Sequence, residues 1–417
     1  FKAIWSDVRQ SFVTTSEIQS SHGKRSKASV SLSVATVLLA TSGLVSAAYV
    51  ETGTLGDKAS WETAEYNYNW GLGAMNASSA YALGFYGQNT TTGVMDSGAW
   101  LGNPDLDTPR ITATHVTGVY GSSGNRYPQS IYATIQKGVV PTAAEGQPFT
   151  EGEEFDVKGD YTLGLNDAHG TQVTGVIGAE RNGEYGHGVA FKANVVVGNT
   201  GATDNNNYGP FQDYNYYFKG YKALADAVNA GNGEYRGGMV NNSYGTNTKI
   251  YSSGGHRLTP DEMSELLAGS GNYDRASAAY AVTFSGDYSF LGLNDVPGAD
   301  QYSTNPSAFE WEYMYFKLKY GDKPSFLDGA YDAVKGTNVI LSWAAGNQDR
   351  GTPYLKGLYP YFHPEAEKNW LNAVGVMQTR GDNDQYMQAT YCKAGLAKWW
   401  SMSGPTAYPG IGTTYVT

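Results

Sequence analysis

The chain has a single cysteine, Cys392, among 417 residues, and its 28 Lys and Arg are outnumbered by 39 Asp and Glu. One cysteine excludes an intramolecular disulfide framework and a thiolate-built zinc site. A net charge of −11 leaves no surplus of cations to displace counterions from phosphate, so nucleic acid is not an expected partner. Charge is scarce, at 16% of residues, while aromatics reach 13%, the reverse of a disordered composition. The six histidines lack ligand spacing of the H-x-x-x-H kind, and no metal site is expected from them. Past residue 45 no long apolar run occurs, and no internal repeat is evident.

What is present begins with a leader. Lys24, Arg25 and Lys27 precede an apolar stretch over residues 30–45, which ends in Val45-Ser46-Ala47-Ala48. A basic flank, an apolar centre and small residues at the end are the parts of a secretory signal peptide. At about 16 residues, broken by serines, the stretch is short for roughly 30 Å of hydrocarbon, which disfavours a membrane anchor. Residues 1–47 are therefore read as an extended signal peptide. The mature chain is expected to be exported and soluble. Position 1 is Phe, not Met, and the start of the gene product is expected to lie upstream.

From Trp70 onward helix and strand signals alternate. Residues 76–83 read as a short helix, and residues 90–95 and 189–197 as strands. Phe218, Tyr221, Leu224, Ala225 and Val228 fall on one helical face. Pro324 and Ser325 open a helix carrying Leu327, Ala330, Tyr331 and Val334, which Gly336 closes. The apolar strand TNVILSWAAGN follows directly, and another apolar segment covers residues 371–377. Such alternation predicts an α/β fold with a mainly parallel sheet and helices on both faces. Residues 246–323 break the pattern. They are polar and rich in Tyr and Gly, and are read as a long surface insertion within a domain spanning 48–417. Thr259-Pro-Asp-Glu262 is its one helix-start signal.

Three segments carry candidate chemistry. TTGVMDSG is a strand ending in Asp96, followed by Ser97-Gly98. DAHGTQVTGVIGAE puts His169 in the first turn of a helix, with Gly170 and Gly175 slimming it and Val173, Val176 and Ile177 as its apolar side. SWAAGN releases Asn347 from a buried strand after residues too small to block a cleft. Singly, each is an ordinary turn, helix start or strand-to-helix loop. Together they give an acid, a base and an oxyanion donor in the chain order of the subtilisin-type serine hydrolases.

The chain resembles the subtilases, and in particular the protease passenger of a Gram-negative autotransporter. Its N-terminal FKAIWSDVRQSFVTTSE is similar to the extended signal peptides of that group. Asp96-Ser97-Gly98 matches the family's Asp-Thr/Ser-Gly. His169-Gly170-Thr171 with Val173-Thr174-Gly175 matches His-Gly-Thr-x-Val-Ala-Gly, with Thr174 in place of Ala. Trp70-Gly71-Leu72, Gly188-Val189-Ala190, Asn241-Asn242-Ser243-Tyr244-Gly245 and the Ala-Ala-Gly-Asn ending at Asn347 resemble further family segments. The resemblance implies that Asp96 orients His169, and that His169 takes a proton from a serine and returns it to the leaving amine. It implies that Asn347 donates to the oxyanion, and that Ser243, Tyr244 and Gly245 offer backbone groups to an extended peptide. The implied partners are protein or peptide substrates and a C-terminal translocator domain of the same polypeptide.

The family's Gly-Thr-Ser-x-Ala-x-Pro does not occur in the 417 residues. Gly412-Thr413-Thr414 is the nearest string, and Ser403-Gly-Pro405 stands where Ala-Pro-Gly is usual. The expectation is a fragment that stops before its serine and is inactive as it stands. Thr414, Ser401 and Ser403 are the fallback nucleophiles. The rival reading is an inactive protease-fold adhesin or binding module. Asp204 with Asn205, Asn206 and Asn207 is a candidate for structural Ca²⁺; no other cofactor or metal is expected. Arg380-Gly381-Asp382 is read as a chance tripeptide, His187 as structural, and Cys392 as a semi-buried free thiol.

Overall fold

The computed structural model describes residues 2–6, 11–15, 53–125, 148–160, 168–200, 213–233, 237–244, 248–251, 280–283, 323–346, 352–378, 386–388 and 391–406. It divides into two units, residues 1–52 and 53–417. The first contains an antiparallel pair, Lys2–Ser6 with Ser11–Thr15; the apolar stretch of the leader lies outside the described residues.

The second unit is built on one sheet. In chain order its strands are β1 (Thr91–Asp96), β2 (Ile111–Ala113), β3 (Asn194–Asn199), β4 (Gly237–Asn242), β5 (Asn338–Ala344), β6 (Trp370–Gln378), β7 (Tyr386–Gln388) and β8 (Ser401–Pro405). The order across the sheet is β7-β6-β5-β4-β1-β3-β2, with β8 also paired to β6. Every pairing is parallel except β6 with β7. From β1 the chain moves outward to β2, returns to β3, then crosses β1 to reach β4 and beyond. Strand order thus reverses at β1, and the carboxyl end of such a strand opens into a crevice where parallel sheets place their sites.

Strands buried on both faces read as near-continuous apolar runs, and β1 and β5 show why. Met95 turns to one core with Val240, Leu341 and Trp343. Its neighbour Val94 turns to the other, with Ile111, Val195 and Val197. The first core is closed by the helix Tyr214–Gly231, which buries Tyr217, Tyr221, Leu224, Ala225 and Val228, and by the helix Phe326–Val334. The second of these starts at a capping box in which Ser325 and Asp328 satisfy each other's backbone N–H, worth about 1 kcal/mol. Gly336, at φ +78°, ends it in the left-handed region that glycine enters without steric cost.

Short helices Ala64–Tyr68, Trp70–Ala74 and Ala77–Ala82 form a lead-in with its own aromatic core of Trp61, Tyr66, Tyr81 and Phe191. The expected strand over 189–197 begins only at Asn194. The reason is the helix before it, His169–Gly178. Its last carbonyls need donors, and the segment after it supplies them. Val189 N–H donates to Val176 O at 3.0 Å and Ala190 N–H to Ile177 O at 2.8 Å. β-Branched and small residues here cap a helix before the chain enters the sheet.

In the segment read as an insertion, the described residues are an antiparallel pair, Thr248–Tyr251 with Tyr280–Thr283, and residue 323, just ahead of the capped helix. The signal at Thr259 lies outside the described residues, as do the calcium candidates at Asp204 and Asn205–Asn207 and the tripeptide at Arg380. Among the described residues no group of three or more His, Cys, Asp and Glu could hold a metal ion.

Candidate active site

Asp96 is the last residue of β1 and is fully buried. Burying an ionised carboxylate is costly unless it is paired and hydrogen-bonded. Asp96 Oδ1 accepts the Ser97 backbone N–H at 2.8 Å and lies 2.8 Å from Nδ1 of His169. The Asp96 carbonyl accepts from Thr200 N–H at 2.7 Å, fixing the main chain on which the carboxylate rides. The His169 side chain remains 29% exposed. The pair therefore consists of a dry acid and an imidazole that reaches the surface.

His169 opens its helix, where the first N–H groups have no partner within the helix. One of them, on Gly170, donates to Ser97 Oγ at 2.9 Å. The residue after the acid thus caps the helix that carries the histidine. A second tie runs the other way: Trp100 N–H donates to Thr171 Oγ1 at 3.0 Å. A Cβ on Gly170 would fall 2.0 Å from the Gly98 carbonyl oxygen, so only glycine lets helix and turn approach this closely. Gly98 itself has φ +85°.

The helix packs differently from the expectation. Val176 is exposed, at 43%, and Val173 and Ile177 are only half-buried. The buried face is Gly170, Thr171, Thr174, Gly175 and Gly178. Small residues bring the helix axis close to the sheet, and a Cβ at Gly178 would meet Val195 at 2.7 Å. Thr174, in the place of the family's usual Ala, is fully buried and donates its hydroxyl to Gly170 O at 2.7 Å. The hydroxyl is satisfied within its own helix.

Ser243 and Tyr244 follow β4. Asn241 Nδ2 donates to Ser243 Oγ at 2.8 Å, and Tyr244 is 4% exposed, its ring edge-on to Trp343. Gly245 and Asn347 lie outside the described residues. The strand leading to Asn347 is nevertheless well held. Ala345 N–H donates to Ala373 O at 2.9 Å, Tyr354 N–H to Ala345 O at 2.9 Å, and Cys392 N–H to Gly346 O at 3.0 Å. Cys392 is buried, at 1%, where a semi-buried thiol was expected; it packs with Ala345, Tyr354 and Val374.

Of the fallback nucleophiles, Ser401 uses its hydroxyl in structure: it donates to Ala397 O at 2.7 Å and accepts from Asn372 Nδ2 at 2.8 Å. Ser403 stands on β8, and Thr414 lies outside the described residues. The other histidines among the described residues stand apart from Asp96 and His169. His115 faces Asp156 at 2.6 Å, His363 stacks on Tyr359, and His187 is fully buried among Tyr66, Tyr81 and Phe191.

Asn242 entered the sequence reading only as part of the resemblance over residues 241–245, with no role of its own, and Tyr221 with none. Tyr221 was visible only as one of a buried stripe. Its hydroxyl donates to Asn242 Oδ1 at 2.5 Å and meets the Tyr244 hydroxyl at 2.6 Å. Burial pushes both phenols well above their ordinary range; smaller contributions include the negative charge of Asp96.

A parallel sheet with a buried acid at its reversal point, tied to a histidine that opens a helix, defines the class of the subtilisin-like fold. A sequence model of the subtilase family matches residues 87–414, and the chain belongs to that family. A model of the extended signal peptide of the type V secretion system matches residues 1–46, which marks a protein exported to the cell surface or the extracellular space. An extracellular serine protease of Serratia marcescens is 31% identical over 163 residues, which are 39% of this chain and 12% of that protein. Serotype-specific antigen 1 of Mannheimia haemolytica is 34% identical over 72 residues, 17% of this chain and 7% of the antigen. The chain thus spans a small part of the length of these relatives. The serine protease of Aeromonas sobria, solved in complex with its chaperone, is 15% identical, covering 88% of this chain and 48% of that one with a TM-score of 0.38.

Proposed function

We propose that the protein is a secreted or surface-displayed serine endopeptidase in which Asp96 and His169 form the acid–base half of a triad. The observation that carries this reading is the 2.8 Å approach of His169 Nδ1 to the buried Asp96 Oδ1. A carboxylate in that position holds the imidazole in the tautomer with a proton on Nδ1, so that Nε2 is basic. His169 then removes the proton of a serine as its oxygen attacks the peptide carbonyl, and returns it to the leaving amine. Asn347 is the proposed side-chain donor to the oxyanion. The edge at Ser243, Tyr244 and Gly245 is the proposed docking strand for substrate, in the manner of an added β-strand.

The nucleophile in this reading is the serine of a Gly-Thr-Ser-x-Ala-x-Pro segment that the 417 residues do not contain, and the leader supports a type V translocator as the partner in export. The test is hydrolysis of peptide substrates by the full-length exported protein. His169→Ala should lower kcat by about four orders of magnitude or more. A wild-type protein that binds peptides without cleaving them would favour the adhesin reading instead.

A further inference from the structure

The segment Asn241 to Tyr244 alternates faces as an extended strand must. Asn241 and Ser243 lie to one side, where the Asn241 amide holds the Ser243 hydroxyl at 2.8 Å. Asn242 and Tyr244 lie to the other, inside the core. There the donors and acceptors can be assigned. Asn242 Nδ2 donates to Val240 O at 3.0 Å and to Ser342 O at 3.1 Å, so its other terminal atom is the accepting oxygen. Tyr221 gives its single proton to that oxygen at 2.5 Å. The 2.6 Å contact between the two phenols must then be Tyr244 donating to Tyr221. The result is a directed run of hydrogen bonds from Tyr244 through Tyr221 to Asn242 and on to the carbonyls of β4 and β5, with Tyr217 as a further hydrogen-bond partner of Tyr244. Chains of this kind polarise one another and hold a single geometry in a dry interior.

Tyr221 is fully buried on the helix Tyr214–Gly231. The Tyr244 ring is further fixed by the Trp343 edge at 5.6 Å and by Lys356 Nζ at 4.7 Å. The two hydroxyls add an angular constraint on the main chain at Ser243, which is where a pairing peptide needs its partner groups in register.

We propose that Tyr221 is a positioning residue for peptide recognition: through Tyr244 and Asn242 it sets the main-chain edge at Ser243 against which an extended peptide pairs. The inference rests on the reading of Ser243–Gly245 as the docking edge and deepens it. A short substrate that spans only the reacting bond makes little use of that edge; a longer one depends on it at each added residue.

The experiment compares full-length wild type, Tyr221→Phe, Tyr244→Phe and the double variant. Two readouts are taken: the affinity for a non-hydrolysable tetrapeptide by calorimetry, and kcat and KM on a tetrapeptide amide beside a single-residue ester. Tyr221→Phe should weaken tetrapeptide binding and raise the amide KM by about 3–10-fold, the effect of one hydrogen bond. The ester should lose distinctly less. Tyr244→Phe should do the same, and the double variant should be little worse than either single one, because one connected chain is cut in each case. Unchanged tetrapeptide affinity in both single variants would overturn the proposal. So would equal losses on long and short substrates accompanied by a lower Tm, which would mark a purely structural role, or a wild type that does not bind the tetrapeptide. Ester turnover that survives His169→Ala would defeat the catalytic reading while leaving the binding series to decide the role of Tyr221.

Discussion

Asp96 illustrates how one residue's burial sets its chemistry. With the carboxylate fully buried and held by Ser97 N–H and His169 Nδ1 at 2.8 Å each, losing either partner leaves a buried oxygen short of a hydrogen bond. Asp96→Asn keeps the volume but presents an amide to Nδ1, which favours the imidazole tautomer with its proton on the wrong nitrogen. The expected outcome is a folded, exported protein with kcat reduced about 10⁴-fold, measured on a peptide amide at neutral pH. A loss of less than tenfold would show that Asp96 does not orient the base. At this scale the contact between Asp96 and His169 was legible in the sequence, because Asp-Ser-Gly and His-Gly-Thr are short strings whose neighbours also have work to do. Ser97 caps Gly170 and Thr171 anchors Trp100. The hydrogen bond that joins Tyr221 to Asn242 was not legible, since a buried tyrosine on an apolar helical stripe looks the same whether or not its hydroxyl is used.

The elements repeat this contrast between local and tertiary signals. The helix Phe326–Val334 was readable from end to end: its cap, stripe and terminal glycine all lie within a dozen residues and depend on nothing distant. The helix Tyr214–Gly231 was legible for the same reason, through its apolar stripe. The helix His169–Gly178 was legible in place but not in facing. Its valines suggested an apolar side, yet the sheet receives the glycine and threonine side, because the turn at Gly98 demands an approach that a Cβ forbids. Gly170→Ala tests this. A methyl 2.0 Å from a carbonyl oxygen must push the helix outward, and overpacking of this kind costs about 1–3 kcal/mol. The variant should melt several degrees lower and lose activity beyond its loss of stability, since His169 moves with its helix. An unchanged Tm and unchanged kcat would mean that the helix has more freedom at its N-terminus than its packing indicates. The late start of β3 had no local signal at all: residues 189–193 have strand-like composition, and only the unsatisfied carbonyls of the preceding helix explain their use as a cap.

Across the whole molecule, a parallel sheet that reverses its order at β1 brings the end of that strand, the helix opened by His169 and the edge after β4 to one rim. Alternating apolar strands and amphipathic helices made the α/β class readable; the order of strands across the sheet was not, because crossover connections leave no mark in local periodicity. The central claim is that this rim is half of a serine protease centre. The most direct measurement is covalent labelling of the full-length exported protein with a serine-directed fluorophosphonate, followed by mass determination of the labelled peptide. Such reagents react at a useful rate only with a serine activated by a positioned base. One label per molecule is expected, on a serine within a Gly-Thr-Ser-x-Ala-x-Pro sequence, and it should disappear in His169→Ala. An unlabelled wild type, or a label that persists in His169→Ala, would contradict the account.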